Sequence, residues 1–128
     1  MHANKYIRLG VMLSIILIVF VLPIKQLNSY AEGEININGL TGDDSGSGWS
    51  FSSGTLSITG ADSYTITGTG ETTNKILVDG GSDEFSKIFN ITIQNVNINV
   101  SGTSNACAFK ITGKAHVNLT LVGNNILK

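Results

Sequence analysis

Three carboxylates fall within the stretch VDGGSDEF, at Asp79, Asp83 and Glu84. With the carbonyls of Gly80 and Gly81 they are oxygen donors of the kind Ca²⁺ takes, so calcium is the one cofactor the sequence raises. The spacing is not that of an EF-hand loop. Neither this turn nor the Asp43-Asp44 pair supplies by itself the roughly 6–8 oxygens a calcium ion needs. Cleavage of a polysaccharide asks for more: two carboxylates flanking the scissile bond, or an acid-held cation beside a basic proton abstractor. From residue 32 onward the chain has no arginine, and its acids lie in loop-like stretches such as GDDSGSG rather than in a row. His116 opens an alternating run, with no carboxylate nearby in sequence to orient it as a base. No catalytic residue is assigned, and the expectation is a protein that is not an enzyme.

What the chain does hold in quantity is hydroxyl and amide side chains at alternate positions of apolar runs. Such groups on a rigid flat surface hydrogen-bond sugars, and lysines can meet the carboxylates of acidic sugars. The candidates for carbohydrate contact are Thr92, Gln94, Asn97, Asn99, Asn118, Thr120 and Lys110. Thr and Asn also populate any wetted β-face, so pattern alone does not separate the two roles. The aromatic residues Trp49, Phe51, Tyr64, Phe85 and Phe89 fall mostly on the apolar parity, which points to core or cap packing. Cys107, the only cysteine, shares parity with Phe109 and Ile111 and is expected to be a small buried hydrophobe without a disulfide partner.

The segment before these residues reads as a leader. Lys5 and Arg8 precede an apolar run from Leu9 to Leu22, and Ser29-Tyr30-Ala31 fits a small-x-small cleavage site. The run is short for a bilayer span of roughly 20 residues. Residues 1–31 are therefore expected to be a signal peptide cleaved after Ala31, the alternative being a retained membrane anchor. Residues 32–128 carry nine acids against five lysines, a net charge of −4. An acidic, arginine-free surface excludes nucleic acid as a natural partner and docks poorly on anionic lipid. Any membrane contact would come through an uncleaved leader.

The elements that must position the polar candidates are short strands. No helical period survives beyond residue 32, where Ser, Thr, Gly, Asn and β-branched residues form alternating runs separated by Gly/Asn/Asp/Ser clusters. Taken in threes the runs repeat. Ile58, Ile93 and Leu121 are spaced by 35 and 28, Ile66, Ile98 and Ile126 by 32 and 28, and Phe51, Val78 and Phe109 by 27 and 31. A period near 30 with three strands per repeat marks a solenoid whose equivalent strands pair in parallel, one coil apart. A two-sheet sandwich would show hairpin turns between evenly spaced runs, and DGG at 79–81 is the only such signal. The stretch NITIQNVNINV fits the solenoid. Its apolar parity inverts at Gln94-Asn95, as it would where one residue is used up in a sharp bend between two strands facing a common axis. Asn tolerates the left-handed backbone such a bend needs. Asn95 and Asn124 are the candidate corner residues, positioned to stack and bond up the solenoid as in an amide ladder. The same inversion is expected between Leu121 and Ile126.

The coil-like stretches FNITIQNVNINVSG and HVNLTLVGNNILK, led in by GWSFSSGTLSITGADSYTITGTG, resemble the coils of right-handed parallel β-helix proteins. About three quarters of the chain resembles a carbohydrate-binding domain of secreted proteins from Gram-positive, clostridial-type bacteria. The resemblance implies binding of acidic plant polysaccharides such as polygalacturonate and an architecture shared with pectate lyases. The combined expectation is an all-β, right-handed parallel β-helix with a cap over residues 32–48 and the first coils over 49–128, C-terminally incomplete because Ile126 and Leu127 await a further coil. It would be secreted or held at the cell surface and bind polysaccharide without cleaving it. A structural adhesin or surface stalk is the alternative, and a lyase fragment a second.

Overall fold

A computed structural model of the chain describes residues 33–128; the leader, its cleavage site and Glu32 lie outside the described residues. Twelve strands make up the described part, and it contains no helix. In chain order they are β1 (Glu34–Asn36), β2 (Ser45–Gly46), β3 (Trp49–Ser52), β4 (Thr55–Ile58), β5 (Ser63–Thr67), β6 (Glu71–Thr72), β7 (Lys75–Asp79), β8 (Lys87–Gln94), β9 (Asn97–Ile98), β10 (Phe109–Thr112), β11 (Ala115–Val122) and β12 (Ile126–Leu127). They form three sheets with the orders β1-β5-β8-β11, β10-β7-β4-β3-β2 and β12-β9-β6. These are called the long, middle and short sheets below. Each coil visits the three in turn: β4-β5-β6, then β7-β8-β9, then β10-β11-β12. The chain is a β-solenoid of about three turns, as the period near 30 predicts.

All pairings between coils are parallel, and their register stacks like residues into columns. Ile35, Ile66, Ile93 and Leu121 form one inward column across the long sheet. Leu56, Ile76 and Phe109 form another across the middle sheet, beside Ile58, Val78 and Ile111. Alternation along each strand turns these side chains to the axis, where Ile58, Ile66, Ile76, Val78, Ile93 and Ile98 are fully buried. Burying each such side chain contributes about 1.5–3 kcal/mol, and no polar side chain is buried among the described residues to offset it.

The columns correct three equivalences drawn from sequence spacing. Ile58 stands in register with Val78, not Ile93, whose counterpart is Ile66. Phe109 pairs with Ile76, two positions from Val78. Leu127, not Ile126, takes the register of Ile98. Strand assignment separates Ile58 from Ile93, which stand on different sheets, and corner length shifts Ile126. Three residues (68–70) join β5 to β6 and three (123–125) join β11 to β12, whereas only Asn95 and Val96 join β8 to β9. The two-residue corner inverts the apolar parity in the middle coil; the three-residue corners preserve it. The phase flip in NITIQNVNINV is real, but it does not recur at Ile126.

At the other end, β2, β3 and β4 form an antiparallel meander on the edge of the middle sheet. Gly48 in its turn has φ 73°, and a Cβ there would overlap the Tyr64 hydroxyl. That hydroxyl donates to Gly60 O at 2.9 Å, and Gly48 O accepts from the Thr59 and Gly60 N–H groups, so this turn is locked to the start of β5.

Candidate functional site

The outward positions of the long sheet make one flat, in-register field of hydroxyls and amides. Thr65, Thr92 and Thr120 form a row across β5, β8 and β11, continued by Glu34 on β1. Ser63, Asn90 and Asn118 form the row beside it, and Asn36, Thr67, Gln94 and Val122 the next. The Asn118 Nδ2 amide donates to Asn90 Oδ1 at 2.9 Å, which fixes both side chains and leaves the Asn118 carbonyl and the Asn90 amide free to bond outward. The β8 and β11 strands are eight residues each, so this face is the broadest of the three. No outward side chain of β5, β8 or β11 is a carboxylate or a lysine, and His116 is the one titratable group among them.

Four of the sequence candidates, Thr92, Gln94, Asn118 and Thr120, lie together on this field. The other three do not. Asn97 and Asn99 belong to the short sheet and the stretch that follows it: Asn97 pairs with Glu71 there, and Asn99 donates through Nδ2 to Glu71 Oε2 at 3.4 Å. Asn99 Oδ1 also accepts from the Ser101 N–H and hydroxyl, which commits it to its own turn. Lys110 projects from the middle sheet, in register with Leu77. There it lines a shallow groove of about 360 Å³ with Thr55, Lys75, Leu77, Asn105 and Cys107. Two lysines thus share one face, diagonal to each other across β7 and β10.

The acids of VDGGSDEF are spread over separate tasks. Asp79 Oδ1 accepts the Gly81 N–H at 2.9 Å, closing the turn after β7. Asp83 pairs with Lys87 at 3.0 Å, and Glu84 receives Lys114 Nζ on its backbone carbonyl at 3.1 Å. Among the described residues no three His, Cys, Asp or Glu side chains come together as a metal site. At the corner, Asn95 has φ 54°, and its Oδ1 accepts the backbone N–H of Asn124 at 3.2 Å. The link is side chain to backbone. The amide-to-amide contact between coils is instead Asn118 with Asn90, and Asn125 Oδ1 accepts the Val96 N–H at 2.9 Å.

Two further expectations are overturned. Cys107 is exposed, with its thiol 3.0 Å from Phe109 O, because β10 begins only at Phe109 and Ala108 takes the buried place. Phe85 is 79% exposed in the loop before β8, and Ile88 is 59% exposed on the outer face, in register with His116. The polar neighbours of Phe85 in SDEFSK were the signal that it sits outside strand alternation. Asn90 and Asn105 were also missed as site residues: Asn90 reads as an ordinary wet strand position, and Asn105 reaches its groove through the fold of an irregular loop.

No family model, curated protein or solved structure matches the chain. The functional reading therefore rests on the solenoid and on what its faces present. The burial of Tyr64, and secondarily the Asp62 carboxylate, raises its phenol above the usual value.

Proposed function

We propose that the chain is a non-catalytic polysaccharide-binding module, secreted or held at the cell surface, that lays a glycan across the outer face of the long sheet. One observation carries the reading: hydroxyl and amide side chains stand in register over β5, β8 and β11, with Asn118 and Asn90 fixed by their mutual hydrogen bond. A repeating ligand with a hydroxyl at regular intervals matches a surface whose donors and acceptors repeat at the strand spacing of about 4.8 Å. A rigid scaffold holds these groups in place before binding, which lowers the ordering cost of association. The face carries no carboxylate pair of the kind that glycosidic cleavage uses. Preference for an acidic polysaccharide such as polygalacturonate would come from Lys75 and Lys110 on the middle sheet, with calcium as a bridging ion to be tested.

Retention on insoluble glycans, polygalacturonate among them, with and without calcium, tests the proposal. Replacing Asn118 and Thr120 by alanine removes two contacts worth about 1 kcal/mol each and weakens binding about thirtyfold. Replacing Lys75 and Lys110 lowers retention on acidic glycans only. Absence of retention on every glycan refutes the proposal, and release of unsaturated oligosaccharides would favour a lyase instead.

A further inference from the structure

The groove on the middle sheet has a construction of its own. On the outer face Thr55 stands beside Lys75 and Leu77 beside Lys110, so the two lysines lie diagonally across β7 and β10. Diagonal neighbours on a sheet face are roughly 7–8 Å apart, close enough for two long side chains to reach one small ligand. The opposite wall is residues 105–107. Asn105 has φ 58° and turns the chain toward β10. Ala106 packs against the core, and Ala108 is buried, with its carbonyl accepting the Ile76 N–H at 3.0 Å. Cys107, between these two anchors, is exposed, and its thiol donates to Phe109 O at 3.0 Å. The groove of about 360 Å³ is therefore walled by tied backbone and falls in the size range of small-molecule sites.

Its electrostatics are one-sided. Lys87 is paired with Asp83, and Lys114 donates to Glu84 O, whereas Lys75 and Lys110 have no ion-pair partner among the described residues. No carboxylate lines the groove. Asp79, two positions past Leu77 on the same face, is turned to the Gly81 N–H. Two unpaired ammonium groups thus flank an apolar floor at Leu77, with the Thr55 hydroxyl and the Asn105 amide as further hydrogen-bonding groups.

We propose that this groove binds a small organic dianion, each lysine taking one negative charge and Leu77 the apolar body of the ligand. The two charges can come from one phosphomonoester or from two neighbouring carboxylates. A monoanion answers one lysine and leaves the other unpaired. The site shares its lysines with the acidic-glycan preference proposed above, but it uses nothing of the long sheet and stands even if that face binds no glycan.

Cys107 is the only cysteine of the chain, so the rate of its alkylation by iodoacetamide in the full chain reports occupancy of the groove. Glucose 6-phosphate and digalacturonate are the dianionic probes; glucose and galacturonate are their neutral and singly charged counterparts. At least one dianion is expected to protect the thiol at concentrations about fivefold below those galacturonate needs, and which of them does so identifies the source of the charges. Lys75→Gln and Lys110→Gln are each expected to raise the half-protecting concentration about fivefold, read against the unprotected rate of the same variant. Unchanged circular dichroism melts show that these surface variants stay folded. Asn118→Ala combined with Thr120→Ala leaves protection as it was, which separates this site from the long-sheet face. Protection by neither dianion at millimolar concentration overturns the proposal. So does equal protection by glucose or galacturonate, or protection that survives replacement of both lysines or is lost with Asn118 and Thr120.

Discussion

Asn95 offers the sharpest test of how the coil turns. Its backbone sits at φ 54°, its N–H donates to Val122 O at 3.1 Å, and its Oδ1 accepts the Asn124 N–H at 3.2 Å. Asn95→Ala keeps the backbone donor but loses the side-chain bond, worth about 1 kcal/mol. It also places a residue with no local hydrogen bond of its own in the left-handed region, at roughly 1 kcal/mol more. Asn95→Gly loses the same bond without the steric penalty, offset in part by the entropy glycine adds to the unfolded chain. The expected order of stability is wild type, then Asn95→Gly lower by about 1 kcal/mol, then Asn95→Ala lower by about 2 kcal/mol. Urea titration followed by circular dichroism reads this as a shift in midpoint at constant slope. The neighbouring coil supplies a control. Gly123 has φ 69°, and a Cβ there would overlap the Asn95 amide. Gly123→Ala is expected to be destabilising, and less so when Asn95 is already glycine, a coupling that a double-mutant cycle measures. An Asn95→Ala variant as stable as Asn95→Gly would refute the account of the corner.

Two more outcomes follow from burial and protonation. Ile93 and Leu121 occupy one inward column, but Ile93 is fully buried and Leu121 is 62% exposed; Ile93→Ala should cost about 2–5 kcal/mol and Leu121→Ala about 1 kcal/mol or less in the monomer, by chemical denaturation. The raised Tyr64 phenol means the folded chain holds that proton more tightly than the unfolded one. Its stability contribution is complete below the unfolded value of about 10 and is lost as pH rises through the higher folded value. Tyr64→Phe should therefore lose roughly 1 kcal/mol at neutral pH with the Gly60 bond, and show a shallower decline above pH 10 than the wild type.

The architecture was legible because a solenoid writes its core as a repeat. Ile91, Ile93, Val96 and Ile98 alternate about the axis whichever strands they join, so the period near 30 and the three strands per coil can be read directly. Register was less legible, since coils of unequal corner length shift the spacing by one residue and strand assignment by more. Ile58 aligned with Ile93 by spacing yet stands on another sheet, beside Val78. The antiparallel meander of β2, β3 and β4 left no such signal, because its strands are short and its turn depends on Gly48 meeting Tyr64, 16 residues on. Among the site candidates, alternation placed Thr92, Gln94, Asn118 and Thr120 outward correctly but could not say that they share a face while Asn97, Asn99 and Lys110 do not. Which sheet a strand joins is set by corners and pairing, not by the strand's own pattern. Cys107 and Phe85 went astray for a related reason: parity holds only inside a strand, and both lie in loops.

Hydrogen exchange of the chain with and without a glycan that retains it tests the central claim most directly. Binding across the long sheet predicts slowed exchange centred on β5, β8 and β11, reaching the strands of Lys75 and Lys110 only when the glycan is acidic, with the short sheet unchanged. Protection centred on the middle-sheet groove at Lys75 and Lys110, or spread evenly over the chain, would contradict it.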